Sequence, residues 1–314
     1  MAIELGRNQY GKAETRVVRV YRGAGGAGDD RARHEIRDLN VSTLLRGDFG
    51  DAHRRGDQAS VLPTDSQKNA CFAFAKQKGV GEIEDYALDL ARHFVDDIAP
   101  VAAARVEVEE YRWERVTVAG QPHPHTFRRA SGEVRTTAVT VPGITGRTGG
   151  PLGVWVVSGL KDLVVLKSTG SEFSGFLKDR YTTLAETSDR ILATSLTARW
   201  RYRGWRPKSW DEAYEQIRQL LLERFATLHS LALQQTLFEM GRAVLEARDD
   251  VAEIRLSAPN RHHFLADLSP FGLDNPGEVF HAADRPYGLI QCAVQRDDAE
   301  DAGQAWDSAA AFEG

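Results

Sequence analysis

The sequence has very little cysteine: Cys71 and Cys292 are the two cysteines among 314 residues. Two cysteines cannot build a disulfide framework or a cysteine-based zinc site. Both lie among apolar residues, and we therefore expect buried thiols.

Long apolar runs are also missing. No stretch approaches the roughly 20 apolar residues of a membrane-spanning helix, and residues 1–9 lack the apolar segment of a signal peptide. These features favour a cytoplasmic protein.

The chain has no excess of basic residues. Its 40 Lys and Arg against 45 Asp and Glu give a formal net charge of −5, which argues against duplex nucleic acid as a partner. With 42% hydrophobic and 27% charged residues, it has the composition of a globular protein with a substantial core. A length of 314 residues favours two domains.

The residue pattern of the first half predicts two strands, two helices and two more strands. β-branched runs and alternation indicate the strands, whereas apolar spacings of three and four indicate the second helix. The predicted elements are strands at 14–22 and 34–45, helices at 66–76 and 83–94, and strands at 106–113 and 126–141.

The second half repeats this order. We expect strands at 153–167 and 191–203, helices at 214–228 and 237–245, and strands at 254–268 and 279–294. Ser209 and Glu212 form a capping box at the start of the first of these helices. The fold class is therefore α+β, with tandem ββααββ units. The Gly- and Thr-rich segment from Pro142 to Pro151 separates a first unit (1–145) from a second (146–296), and residues 297–314 are expected to form an acidic flexible tail.

Two local motifs have weak functional interpretations. Gly23, Gly25 and Gly28 spell G-x-G-x-x-G after a strand, but charged residues and a second strand follow, where a dinucleotide site needs an apolar helix. A hairpin loop is favoured. His123 and His125 flank a proline in a turn without a further ligand at recognisable spacing, so we expect no metal there.

Several polar blocks, in order along the chain, resemble the urate oxidase (uricase) family. They extend from Tyr10 to about Pro286 and comprise Tyr10-Gly11-Lys12, residues 62–69 (LPTDSQKN), residues 166–169 (LKST) with Phe173 and Gly175-Phe176, residues 179–184 (DRYTTL), Asp189-Arg190-Ile191-Leu192, Gln234 with Thr236, and Pro259-Asn260-Arg261-His262. Any one block is only suggestive, whereas their shared order and spacing are specific.

The resemblance implies a tunnelling fold (T-fold), in which two ββααββ units form one continuous antiparallel sheet that oligomerisation closes into a barrel. It also implies a homotetramer with active sites between subunits. The implied reaction is the oxidation of urate by dioxygen and water to 5-hydroxyisourate and hydrogen peroxide. The implied enzyme needs no metal, flavin or other cofactor, and dioxygen is a co-substrate.

Site residues follow from the resemblance position by position. Lys12, Thr64 and His262 match the proton relay, in which a hydroxyl passes a proton between an amine and an imidazole. Substrate binding is implied for seven residues: Thr64, Asp65, Phe173, Arg190, Leu233, Gln234 and Asn260.

The substrate explains these residue types. Urate is a planar anion with carbonyl and N–H groups around its rim, which suits a bidentate arginine, an amide and a stacking ring. Arg190, Gln234 and Phe173 match these three. Leu233 stands where the family commonly has valine, and it is expected to contribute its backbone N–H. Asn260 and Thr64 match the residues that hold dioxygen or water above the ring, and Asp65 contacts the substrate edge.

Without the resemblance, each residue has an ordinary structural interpretation: a salt bridge for Arg190, core packing for Phe173, a helix start for Gln234, a solvated charge for Lys12 and a turn for Asn260. Alternatives at the level of function are a catalytically inactive purine-binding T-fold protein, another purine- or pterin-acting T-fold enzyme, or a structural shell.

Overall fold

The computed structural model describes residues 2–23, 33–143, 153–204, 207–283 and 285–308. Gly25 and Gly28 of the glycine motif, the expected unit boundary at 145/146 and the last six residues lie outside these ranges. The division into units at that boundary therefore stays a prediction.

The elements follow the predicted order, with insertions. The first round contains β1 (Tyr10–Arg22), β2 (His34–Gly47), the short α1 (Gly50–Arg55), α2 (Thr64–Gln77), α3 (Ile83–Asp97), β3 (Val101–Val118) and β4 (Gln121–Pro142). The second contains β5 (Trp155–Lys167), β6 (Leu192–Tyr202), α4 (Trp210–Thr227), α5 (Leu233–Ala247), β7 (Val251–Pro259), β8 (His262–Leu265), β9 (Phe280–Ala283) and β10 (Leu289–Gln295).

The last two predicted strands are each broken. The range 254–268 divides into β7 and β8, and the range 279–294 divides into β9 and β10. β8 and β9 pair only with each other in a separate two-stranded sheet. Alternation within each piece is correct, but it does not reveal that the chain leaves the main sheet after Pro259.

One antiparallel sheet connects the two rounds. Its order is β1-β2-β3-β4-β5-β6-β7-β10, and β4 pairs with β5 from Val134↔Lys161 to Thr140↔Trp155. The expected continuous antiparallel α+β sheet is confirmed. None of the described helices is long and apolar enough to span a membrane.

The helix pairs share one face of the sheet. α2 and α3 bury a core that includes Leu90 and Phe94, whereas α4 and α5 bury one that includes Trp200 and Ile217. Val156 packs against both cores, so both lie on the same side.

The two cysteines differ in burial. Cys71 is buried in the first core, where burial raises the pKa of its thiol to about 12. Cys292 is only half-buried, and burial raises its pKa as well.

Each round begins with a strand that carries the same irregularity. Glu14 has a φ of 56° where the β1–β2 register shifts, and Asp162 has a φ of 60° where the β5–β6 register shifts. Such a β-bulge reverses the alternation of side chains. Three residues before each bulge lies a glycine: a Cβ on Gly11 would lie 1.7 Å from the Thr43 carbonyl oxygen, and one on Gly159 would lie 2.5 Å from that of Ala198.

A buried ion-pair network joins the halves at the β4–β5 seam. Arg135 of β4 donates to Glu84 of α3 at 2.8 Å and also to Asp211 of α4. Ser158 of β5 donates to the other oxygen of Glu84 at 2.7 Å. Glu84 is only 1% exposed, so its charge depends on these donors.

The expected cap of α4 extends this network. The Ser209 hydroxyl oxygen accepts from the Glu212 N–H at 3.2 Å, which confirms the predicted helix start. The same hydroxyl donates to Glu82 of the first half at 2.5 Å, so the cap also connects the halves.

The described part of the segment expected to form the tail contacts the sheet, and the flexibility of the whole tail stays a prediction. Residues 297–308 lie across the helix-free face, where Ala305 is buried against Trp155 and Val157. The Trp306 indole N–H donates to Glu253 at 2.9 Å, and Arg105 donates to the Ala305 carbonyl at 3.1 Å. Acidic composition suggested solvation, but arginines on this face of the sheet bind the segment.

We expect Arg135→Met to destabilise the fold by about 3–5 kcal/mol, because it leaves Glu84 buried without its cation. Arg128→Met is the matched control: Arg128 pairs with Glu114 at 2.6 Å, but its side chain is 67% exposed. Loss of such a surface pair costs about 0–1 kcal/mol. Urea unfolding followed by circular dichroism at equal protein concentration measures both. Equal losses for the two variants would contradict a special role for the buried network.

Candidate active site

The first group of predicted site residues lies where β1 passes the start of α2. The Lys12 N–H donates to the Thr43 hydroxyl oxygen at 3.3 Å, and this hydroxyl donates to the buried Gln67 of α2 at 2.8 Å. Cross-strand partners share a face, so Lys12 faces α2 together with Thr43. Thr64 and Asp65 are the first residues of that helix.

The start of α2 is open to a ligand. Pro63 provides no side-chain cap, and the first helical hydrogen bond is donated by the Gln67 N–H to the Pro63 carbonyl at 3.2 Å. The N–H groups of Thr64 and Asp65 therefore have no partner within the helix. Lys68, with Asn69 and the nearby charge of Lys12, lowers the pKa of the exposed Asp65 carboxyl.

The second group is centred on Arg190 and Phe173, in the segment between β5 and β6. The Arg190 guanidinium lies 5.1 Å from the centre of the Phe173 ring, and Phe173 stacks on Phe176 at 4.9 Å and 15°. Arg190 is half-buried, and this burial lowers its pKa. An arginine nevertheless stays charged in proteins.

Arg190 has no acidic partner within the described ranges. Its Nε is buried without a hydrogen-bond partner. A half-buried cation in this state is costly unless a ligand completes its hydrogen bonds. The salt bridge expected from sequence pattern alone is therefore not found in this part of the chain.

Backbone pairing holds this segment against the start of α5. The Ser230 N–H donates to the Gly170 carbonyl at 2.9 Å, and the Glu172 N–H donates to the Ser230 carbonyl at 2.8 Å. The Ser230 hydroxyl lies 2.6 Å from that of Thr236 in the first turn of α5. Phe173 is therefore kept near the beginning of that helix.

α5 also begins without a side-chain cap. Its first helical bond runs from the Thr236 N–H to the Ala232 carbonyl at 3.1 Å, which leaves the N–H groups of Leu233 and Gln234 without a helical partner. The Leu233 side chain is buried and that of Gln234 is exposed. The backbone contribution expected of Leu233 and the side-chain contribution expected of Gln234 stay predictions.

Asn260 and His262 extend the second group. The Arg261 N–H donates to the Ala193 carbonyl at 2.9 Å, and Asn260 forms a β-bridge with Thr194, four residues after Arg190. His262 begins β8 and stacks on Phe264 at 5.6 Å. These contacts bring the end of β7 beside the beginning of β6.

The two groups lie far apart within one chain. Lys12 is on β1, an edge strand, whereas Arg190 precedes β6, and four strands separate β1 from β6. Five strand spacings correspond to about 24 Å along the sheet. The described residues of one group form no hydrogen bond or ion pair with those of the other. We call the two groups the first and second half-site of the candidate active site.

The structure adds residues that sequence analysis left without a role. Thr43 and Gln67 connect Lys12 to α2, and Phe176 supports Phe173. The Lys167 ammonium donates to the Leu228 carbonyl at the end of α4 at 2.6 Å, and burial lowers its pKa. Lys167 and Phe176 belong to the sequence blocks that resemble the uricase family. The spacing of residues in the sequence does not predict that Lys167 contacts Leu228 or that Phe176 contacts Phe173.

A cavity among the described residues lies elsewhere. It has a volume of ≈530 Å³ between β3, β4 and α4, and its charged side chains pair with each other, as Arg37 does with Glu110 at 2.6 Å and Arg218 with Glu133 at 2.7 Å. By contrast, Arg190 of the second half-site has no ion-pair partner among the described residues. We therefore place the candidate active site at the half-sites.

Histidines in the described ranges do not form a metal-ligand group. His123 and His125 are perpendicular at 4.6 Å, and His34 lies 5.8 Å from His125. Among the residues that the structure describes, no three His, Cys, Asp or Glu side chains are grouped to hold a metal ion.

Comparison with known proteins gives consistent matches. A family model described as Uricase matches residues 8–140 and 156–291. The chain is 48% identical over 310 residues to a uricase of Arthrobacter globiformis, covering 99% of this chain and 96% of that protein. It is 34% identical over 308 residues to a uricase of Cyberlindnera jadinii, covering 94% and 98%.

The same likeness extends to three dimensions. The crystal structure of uricase from Arthrobacter globiformis aligns with a TM-score of 0.87 and 48% identity, covering 96% of this chain and 98% of that one.

Proposed function

The chain belongs to the uricase family, and from this premise we propose that it is a urate oxidase working without a metal or organic cofactor. The reaction consumes urate, dioxygen and water and yields 5-hydroxyisourate and hydrogen peroxide. Urate loses two electrons, dioxygen gains them, and water supplies the oxygen that becomes the 5-hydroxyl group. The state of Arg190 carries the proposal: a half-buried guanidinium lies over an aromatic ring, and its buried Nε has no partner among the described residues.

The second half-site supplies the groups that a urate anion requires. Arg190 can donate two parallel hydrogen bonds to the urate rim, and Phe173 offers a ring on which the purine stacks. The unpartnered N–H groups at the start of α5 and the Gln234 amide can bind the remaining rim atoms. Phe176 covers part of Phe173, so the ring is supported while it binds a substrate.

The first half-site supplies the proton chemistry. Urate must lose a proton before it gives up electrons, and peroxide must leave with protons. We assign this transfer to Lys12 and Thr64, with His262 completing the relay. Asn260 and Thr64 would hold dioxygen or water above the ring. Because His262 lies with the second half-site, the relay would be completed only where two subunits meet.

We propose a homotetramer in which half-sites of different subunits combine. β1 and β10 are sheet edges that pair on one side only within the described strands, and such edges can extend the sheet into another copy. The segment carrying Phe173 also exposes apolar side chains, with Leu177 95% and Tyr181 70% exposed. Exposed apolar residues grouped beside a half-site favour a subunit contact there.

Purified protein treated with a chelator is expected to consume urate in air and to release one hydrogen peroxide per urate. The loss of urate ultraviolet absorbance measures urate consumption, and a coupled assay measures the hydrogen peroxide released. An anaerobic sample is the control and should leave urate unchanged. Activity that disappears with the chelator and returns with an added metal would refute the cofactor-free reaction.

We expect substitutions in the second half-site to weaken substrate binding and substitutions in the first half-site to slow turnover. Arg190→Ala should weaken binding of a non-oxidisable urate analogue at least about tenfold, because charged hydrogen bonds in a partly dry site are lost. Lys12→Met should slow turnover about 10²–10⁴-fold and keep analogue binding. Arg128→Ala is the matched control, since Arg128 is 67% exposed and its guanidinium pairs with Glu114 on the neighbouring strand. Calorimetry measures analogue binding, and steady-state kinetics measures turnover. A Lys12→Met protein that loses analogue binding but keeps its turnover would contradict the relay.

Mixed oligomers are expected to regain activity if subunits share the site. Thr64→Ala and Arg190→Ala proteins, each nearly inactive, are unfolded together and refolded as an equal mixture. In a mixed dimer one site carries both lesions and the other carries neither, so about a quarter of wild-type activity should return.

The control is a mixture of Thr64→Ala with Lys12→Met. Both lesions lie in the first half-site, so every combined site keeps one lesion and no activity should return. If co-assembled Thr64→Ala and Arg190→Ala subunits stay inactive, the site lies within one chain.

A further inference from the structure

Asp189 directly precedes the arginine of the second half-site, yet its carboxylate binds other groups. One oxygen accepts from the Thr169 hydroxyl at 2.8 Å, and the other accepts from the Gly170 N–H at 3.0 Å. The Thr169 hydroxyl, with the backbone N–H groups of Gly170, Ser171 and Arg190, lowers the pKa of the Asp189 carboxyl. All of these donors are neutral groups.

These hydrogen bonds tie the turn after β5 to the residue before β6. Gly170 occupies that turn with a φ of 72°, and the Arg190 N–H donates to the Ser171 carbonyl at 2.8 Å. Phe173 then pairs with Thr187 through two backbone bonds of 2.9 and 3.0 Å. The Asp189 carboxylate therefore stands where the two arms of this segment meet.

Neutral donors also keep Asp189 from neutralising its neighbour. A carboxylate next to a guanidinium in sequence would otherwise be free to pair with it and to compete with an anionic ligand. Within the described ranges, no ion pair joins Asp189 or any other acid to Arg190. The carboxylate is occupied, and the guanidinium is left for a ligand.

We propose that Asp189 is a positioning residue for the substrate-binding arginine: it fixes Arg190 and Phe173 relative to each other and leaves the Arg190 guanidinium unpaired. This inference rests on the proposed function, since it assumes that Arg190 binds the urate anion. Asp189 acts through Arg190 and touches no substrate itself.

Asp189→Ala is expected to weaken binding of a non-oxidisable urate analogue about tenfold, and to raise KM for urate similarly, with kcat changed less than about threefold. Asp267→Ala is the matched control. Asp267 lies outside this segment and also accepts from neutral groups, the Ser269 hydroxyl at 2.6 Å and the Ser269 N–H at 3.0 Å. The control should leave analogue affinity within about twofold of wild type.

A double-mutant cycle tests whether Asp189 acts through the arginine. In an Arg190→Ala background, Asp189→Ala should weaken analogue binding less than about twofold further. Equal effects in both backgrounds, or unchanged binding in the single variant, would overturn the inference. Thr169→Val removes one donor from Asp189 and serves if Asp189→Ala fails to fold; analogue binding unchanged in that variant would likewise overturn it.

The outcomes distinguish this inference from the function on which it rests. A wild-type protein that oxidises urate, with binding insensitive to Asp189→Ala, refutes only the role of Asp189. A wild-type protein that neither binds the analogue nor oxidises urate refutes both.

Discussion

The buried contact between Arg135 and Glu84 is the interaction on which the architecture depends. It lies at the seam between β4 and β5, where two halves with separate helix layers become one sheet. Two buried charges with several donors are costly to separate, because either one alone would remain desolvated and uncompensated. Arg135 and Glu84 both belong to the first half, and the pair is linked to the second half because Arg135 also donates to Asp211 of α4 and Ser158 of β5 donates to Glu84. The continuous sheet then sets the distance between its two ends.

That distance determines what a single chain can do. α2 is the first long helix of the first round and α5 is the second long helix of the second round, and both begin without a side-chain cap. Each presents unpartnered N–H groups to its surroundings, which suits a ligand rich in carbonyl oxygens. A continuous sheet separates these two starts by several strands, so they can serve one ligand only if another subunit brings them together.

Arginines form ion pairs around the cavity beside α4, whereas Arg190 in the second half-site has no acidic partner among the described residues. Around the cavity beside α4, arginines and carboxylates pair with one another, and the result is structural. Around Arg190 the nearest carboxylate in sequence is occupied by a hydroxyl and by backbone N–H groups. The Asp189 carboxylate thus stabilises a turn, and the Arg190 guanidinium stays available for a ligand. An available guanidinium is typical of an anion-binding site.

The sequence by itself determined the element order, the class of fold and the capping of α4, because hydrophobic periodicity and cap residues are local properties. Its resemblance to a family also named the residues of both half-sites, from Lys12 to His262. Only the tertiary structure decided that β8 and β9 leave the main sheet, that residues 297–308 bind the helix-free face, and that Arg190 lacks an acidic partner in the described chain. These depend on contacts between residues distant in sequence, such as Trp306 with Glu253, and no local pattern records which distant groups satisfy a charge or a strand edge.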